Sequence, residues 1–121
     1  MVDLPQAATP AAPGDALNWP MLKISYLTDE SAIRAILPSE FELASEPKVI
    51  LTVYNFPVNG QPEYGLVTSV AASFDGEEGE FALGYGISKE AEIFISQEKF
   101  GQPKYPADIN YFRMMEYVSA T

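Results

Sequence analysis

Between residues 41 and 97 the chain passes through five segments rich in β-branched and aromatic residues: 41–44, 48–56, 64–74, 79–88 and 91–97. The breaks among them carry turn residues, namely Pro47, Asn59-Gly60 and Asp75-Gly76. A parallel pair needs a long crossover, and these connections are short, so neighbouring strands are predicted to pair antiparallel. The run Val49-Ile50-Leu51-Thr52-Val53-Tyr54 is apolar on both faces and belongs in the interior of a sheet or of a closed wall. In Phe81-Ala82-Leu83-Gly84-Tyr85-Gly86-Ile87, large and small residues alternate. A regular strand would turn its four bulky side chains to the core and leave the other face open to close approach, by another element or by a ligand.

Upstream, residues 1–18 are rich in Ala and Pro, with few large apolar groups to offset the entropy of ordering them, and read as a flexible arm. Residues 19–121 read as a single domain. Met21–Leu27 suggests a strand, and Thr28 is an N-cap candidate for a short helix with Asp29 and Glu30 in its first turn. Ile33, Ile36 and Leu37 share a face of that helix, and Pro38 ends it. The fold class is mainly β (α+β), an antiparallel sheet with one short N-terminal helix.

Composition narrows the chemistry. Seventeen acidic against seven basic residues leave a net charge of −10, which repels nucleic acid and anionic membranes. With no histidine and no cysteine, the usual zinc ligands, the Ser-His and Cys-His nucleophile pairs and disulfides are excluded. No Lys or Arg precedes Lys23 to form a signal-peptide n-region, and the longest uncharged run, 49–62, is broken by Pro57, Asn59 and Gly60. A cytoplasmic, soluble protein is the expectation.

Three local patterns read as structure rather than chemistry. Asp75-Gly76-Glu77-Glu78-Gly79-Glu80 lacks the spacing of an EF-hand loop and reads as a solvated hairpin turn, so no metal is expected. Gly84-Tyr85-Gly86 lacks the third glycine and following helix of a dinucleotide site. Ser96-Gln97-Glu98-Lys99 matches S-x-x-K, without the S-D-N or K-T-G that accompany it in acyl-transfer enzymes.

A fourth pattern is more specific. Glu98, Gly101, Pro103 and Lys104 have the spacing E-x-x-G-x-P-K, which resembles the active-site segment of the acetoacetate decarboxylase family. Tyr26-Leu27-Thr28-Asp29, the helix over 32–37, Pro38 and Leu43 are similar to the family's first strand, helix and following proline, so that the resemblance spans 18–112. It implies a partial conical β-barrel with a reactive lysine inside. It also implies Schiff-base decarboxylation, or a related lyase reaction, of a small keto acid or carbonyl ligand, without a cofactor.

By that resemblance Lys104 is the imine-forming residue, and Glu98 handles protons or positions the lysine. Only a neutral amine attacks a ketone, and an unperturbed lysine at neutral pH is neutral in about one molecule in two thousand. In acetoacetate decarboxylase itself a neighbouring cation is the established means of lowering the pKa. Here Tyr105 follows Lys104, which leaves desolvation among Phe100, Tyr105 and Phe112. The family's carboxylate positions fall on Thr52 and Leu66, and Glu63 is a candidate for a relocated acid. Phe100, Tyr105 and Glu63 are the substrate-binding candidates. The alternative reading is a catalytically silent β domain that binds a small ligand or pairs with a full-length relative. Large apolar residues over 111–118 would sit on an exposed edge unless another chain covers them, so a homo-oligomer is expected.

Overall fold

The structure, a computed structural model, describes residues 20–57 and 60–121. The expected arm over 1–18, and Asn59 of the expected Asn59-Gly60 turn, lie outside the described residues. The elements are β1 (Met21–Leu27), α1 (Glu30–Ile36), β2 (Glu42–Leu43), β3 (Lys48–Asn55), β4 (Tyr64–Phe74), β5 (Glu77–Ile87), α2 (Glu90–Phe100), β6 (Lys104–Pro106), β7 (Tyr111–Met114) and β8 (Tyr117–Ala120). One sheet has the order β1-β3-β4-β5-β6 with β2 also paired to β4, and β7 and β8 form a separate hairpin. Among the described residues the main sheet is open, with β1 and β6 at its edges, and no barrel closes.

The mainly β expectation is met, and β3, apolar on both faces, lies inside the sheet between β1 and β4. Asp75 and Gly76 have φ of 51° and 83°, the paired left-handed conformation that joins β4 to β5 in a tight hairpin. The helix α1 begins one residue later than expected, with Asp29 rather than Thr28 at its N-cap. Leu37, ahead of Pro38, is extended at its end, because the proline ring disfavours a helical predecessor.

Two expectations fail, each for a geometric reason. Residues 91–97 are not a strand but part of α2, a second helix. Their Ile-Phe-Ile core has strong β propensity, yet burial follows the helical period: Ile93 and Ser96, three apart, are buried while Phe94 and Ile95 are exposed. Gly101, at φ 64°, caps the helix in the left-handed region. With α2 as crossover, β6 pairs parallel to β5, the one parallel pair among the described strands of a sheet otherwise antiparallel, as the mainly antiparallel expectation has it. The run 81–87 also fails to place its four bulky residues on one face. Register passes from Thr68↔Gly84 to Ser69↔Ala82, so Leu83 is the extra residue of a β-bulge and the alternation inverts there. Phe81 therefore faces one side of the sheet, and Tyr85 and Ile87 the other.

The core on the first side is Ile33 and Leu37 of α1 against Val70 and Ala72 of β4, flanked by Phe41, Leu43, Val49 and Phe81. The Phe41 ring meets Phe81 edge-on at 5.0 Å and Phe74 at 5.3 Å. No helix among the described residues is long and apolar enough to cross a membrane. Ile33 has only 1% of its surface exposed. Ile33→Ala leaves a cavity under the sheet and is expected to lower unfolding stability by about 3 kcal/mol, read as a drop in the urea midpoint at constant slope.

Candidate functional site

Residues paired across neighbouring strands share a face of the sheet, and that rule locates Lys104. Through β6, β5, β4, β3 and β1 in turn, its row reads Lys104, Tyr85, Val67, Thr52 and Lys23. The adjacent row on the same face reads Pro106, Ile87, Gly65, Tyr54 and Met21. This is the side opposite the α1 core, and α2 contacts its β5 and β6 strands.

Lys104 is gripped at both ends by α2. Its Nζ donates to the Ser96 hydroxyl at 2.9 Å in a partly buried setting, and its carbonyl accepts from Gln97 Nε2 at 2.6 Å. The strand itself is seated by Tyr85 N–H to Pro103 O and Ala107 N–H to Ile87 O, both 3.0 Å. Among the described residues the ion pairs are Lys23–Glu80 and Lys48–Glu46, so the partner of the Lys104 amine is a neutral hydroxyl.

Farther along this face Gly65 lacks the side chain that would obstruct Tyr54. A Cβ there would overlap the end of the Tyr54 ring, so the phenol lies across β4 toward β5. Burial, with Glu63 and then Tyr85 adding to it, pushes the Tyr54 hydroxyl up to about 12. Glu63 is itself buried, at 5% exposure, just before β4. Toward β1 the same face opens into a hollow of about 360 Å³ whose lining includes Lys23, Ser25, Lys48, Ile50 and Glu80, and not Lys104.

The sequence comparison agrees with this geometry: the acetoacetate decarboxylase (ADC) family model matches residues 3–121. The chain belongs to the acetoacetate decarboxylase family. It is 30% identical over 109 residues to an acetoacetate decarboxylase of Streptomyces nogalater, an alignment covering 84% of this chain and 44% of that one. Among solved structures it resembles an acetoacetate decarboxylase of Legionella pneumophila subsp. pneumophila str. Philadelphia 1, with TM-score 0.70 and 29% identity over 80% of this chain and 39% of the other. An acetoacetate decarboxylase-like enzyme of Sphingomonas wittichii RW1 shares the fold at TM-score 0.61 and 19% identity, over 80% and 42%. The enduracididine biosynthesis enzyme MppR, solved with the condensation product of pyruvate and imidazole 4-carboxaldehyde, does so at TM-score 0.63 and 13% identity, over 80% and 41%. The chain thus spans less than half the length of these acetoacetate decarboxylase relatives.

Against the residues expected from the acetoacetate decarboxylase resemblance, the structure brings some together and separates others. Lys104 shares a face with Tyr85 and, in the next row, Tyr54, on whose hydroxyl the buried Glu63 acts. Glu98 is exposed on α2, two residues from Ser96 and so on the far side of the helix from it. Phe100 is 71% exposed. Tyr105 alternates to the face opposite Lys104, where its ring covers Gly84 and Gly86, 3.1 Å from the Cβ position of each. The space beside those glycines is therefore filled by a neighbouring strand. Thr52 lies in the Lys104 row, but Leu66 is on the other face, and the β4 residue in the row is Val67. Ser96, Gln97, Tyr54 and Tyr85 were not legible as site residues. A helical reading of 90–100 would have put Ser96 in a buried stripe with Ile93, and a buried hydroxyl requires a partner.

Linkage gives the Tyr54 environment a sign. An unfolded tyrosine loses its proton near 10 and folded Tyr54 at about 12, so over that window the unfolded chain binds fewer protons and stability falls as pH rises. In Tyr54→Phe this loss between about pH 10 and pH 12 is expected to shrink. Gly65→Ala displaces the ring and brings Tyr54 titration, followed by phenolate absorbance, back toward the ordinary tyrosine range.

Proposed function

We propose that this chain is an acetoacetate decarboxylase-like protein in which Lys104 forms an imine with a small keto acid. The observation that carries this reading is the partly buried Lys104 amine held at 2.9 Å by an uncharged partner, Ser96. A carboxylate at that distance would favour the ammonium ion, whereas a hydroxyl does so less, and the attacking species is the free amine. The MppR structures, one with pyruvate and one with a pyruvate condensation product, give the fold a precedent for small keto acid ligands.

In the proposed reaction the Nζ lone pair forms a bond to the ketone carbon while the carbonyl π electrons move to oxygen. That oxygen takes up one proton as the nitrogen loses one, giving the neutral carbinolamine, and a second proton from solvent lets it leave as water, giving a protonated imine. With a β-keto acid, the carbon–carbon bond to the carboxylate breaks, carbon dioxide leaves, and the electron pair enters the imine to give an enamine. Protonation at carbon and hydrolysis then release the ketone and restore the lysine. The positive nitrogen serves as electron sink, and no cofactor is required.

The uncharged Thr52 and Val67 in the Lys104 row favour the second reading, a silent domain that binds a carbonyl ligand without turning it over or that pairs with a full-length relative. Self-association in a homo-oligomer remains part of the proposal, supported by the exposure of Phe112, Met114, Met115 and Tyr117.

Incubation with acetoacetate, borohydride reduction and peptide mass analysis test the reading. The expected result is a stable adduct on Lys104 in the wild type that is absent from Lys104→Ala. Folded wild-type protein that yields no adduct on Lys104 overturns the imine proposal, and an adduct without carbon dioxide release selects the silent domain.

A further inference from the structure

The S-x-x-K spacing of Ser96 and Lys99 has no counterpart in space: Lys99 is exposed, and the amine that meets Ser96 is that of Lys104, eight residues on. Ser96 occupies the buried stripe of α2 that begins at Ile93, a position where an apolar residue would complete the packing. A hydroxyl there needs a hydrogen-bond partner, and the turn through Gly101 supplies one by folding Lys104 back over the last turn of the helix. Gln97, its neighbour on α2, fixes the Lys104 carbonyl, so consecutive helix residues hold the main chain and the amine of one lysine.

We propose that Ser96 is the positioning residue of Lys104, its hydroxyl holding the amine on the sheet face in both the charged and the neutral state, an inference that rests on the imine reading of that lysine. The reason is the dual character of a hydroxyl, which both donates and accepts. Toward the ammonium ion, Ser96 Oγ accepts from Nζ. Toward the neutral amine, it donates its own proton to the Nζ lone pair. The contact survives deprotonation with its direction reversed. A carboxylate lacks a proton to donate and would hold the charged form, whereas an alanine would leave either form without a partner. During imine formation the same hydroxyl passes a proton without net change: it accepts one from the nitrogen as it gives its own to the former carbonyl oxygen, forming the carbinolamine, whose hydroxyl leaves as water on taking a second proton from solvent. The register places Tyr85 beside this lysine on β5; Tyr54, with Glu63 acting on it, lies farther along the face, and Glu98 and Lys99 are exposed on α2.

Two readouts on Ser96→Ala, Ser96→Thr and Ser96→Asp test this, each variant first checked for native circular dichroism. The first is the rate of borohydride trapping of acetoacetate on Lys104. The second needs no keto acid: labelling of Lys104 by trinitrobenzenesulfonate as a function of pH, which reads the fraction of neutral amine. At equal fractions of neutral amine, read from the labelling profiles, Ser96→Ala is expected to trap about tenfold more slowly, the worth of one hydrogen bond, and Ser96→Thr to recover the wild-type rate. The labelling midpoint should move to lower pH in Ser96→Ala, where the ammonium ion loses an acceptor, and to higher pH in Ser96→Asp, where it gains a counter-charge. Should Ser96→Ala fail to fold, Ser96→Thr and Ser96→Asp carry the same comparison. Coincident labelling profiles for wild type and folded variants overturn the inference, as does a folded Ser96→Ala that traps at the wild-type rate when compared at equal fractions of neutral amine. Separated profiles with no trapping in the wild type overturn the imine reading alone and leave the hold of Ser96 on the amine standing.

Discussion

The short parallel docking of β6 beside β5 fixes the rest of the site. Only three residue pairs make it, Tyr85↔Lys104, Gly86↔Tyr105 and Ile87↔Pro106, yet they decide which face each side chain enters. Because strand residues alternate, placing Lys104 opposite Tyr85 commits Tyr105 to the other side. The pairing also closes the βαβ unit that carries α2 onto the sheet, bringing Ser96 and Gln97 to the lysine. Two glycines ease the docking, since a Cβ at Gly84 or Gly86 would stand 3.1 Å from the Tyr105 ring, closer than an ordinary contact.

A second device, the bulge at Leu83, divides the work of β5 between two cores. Without it, Phe81, Tyr85 and Ile87 would compete for one face. With it, Phe81 joins Ile33 and Val70 beneath α1, while Tyr85 and Ile87 serve the lysine face. One strand therefore serves both the core beneath α1 and the face that holds Lys104. The extra residue, Leu83, is left 37% exposed at the point of inversion.

The lysine face differs from the charged arrangement that the family resemblance implies. Its row across the sheet holds Tyr85, Val67 and Thr52, and the buried carboxylate, Glu63, lies beside Tyr54 rather than in that row. The Ser96 hydroxyl and Tyr85 thus stand next to a lysine that has no second lysine beside it in the chain. A hydroxyl both donates and accepts, so it adjoins the amine without imposing a full charge on it.

By itself the sequence determined the strands β1, β3, β4 and β5, the Asp75-Gly76 hairpin, the helix stopped before Pro38, and Lys104 as the residue of interest. Each is written locally, in runs of β-branched residues, in turn chemistry, or in the spacing from Glu98 to Lys104. Only the tertiary structure decided that 90–100 is helical, because Ile93-Phe94-Ile95 favours a strand locally and yields to the need for a crossover between parallel neighbours. It also decided which side chains meet the lysine: a single extra residue at 83, and the handing of Lys104 and Tyr105 to opposite faces, follow from inter-strand register. Register depends on partners far apart in the chain, so no local pattern around Tyr85 could have announced that it would stand beside Lys104.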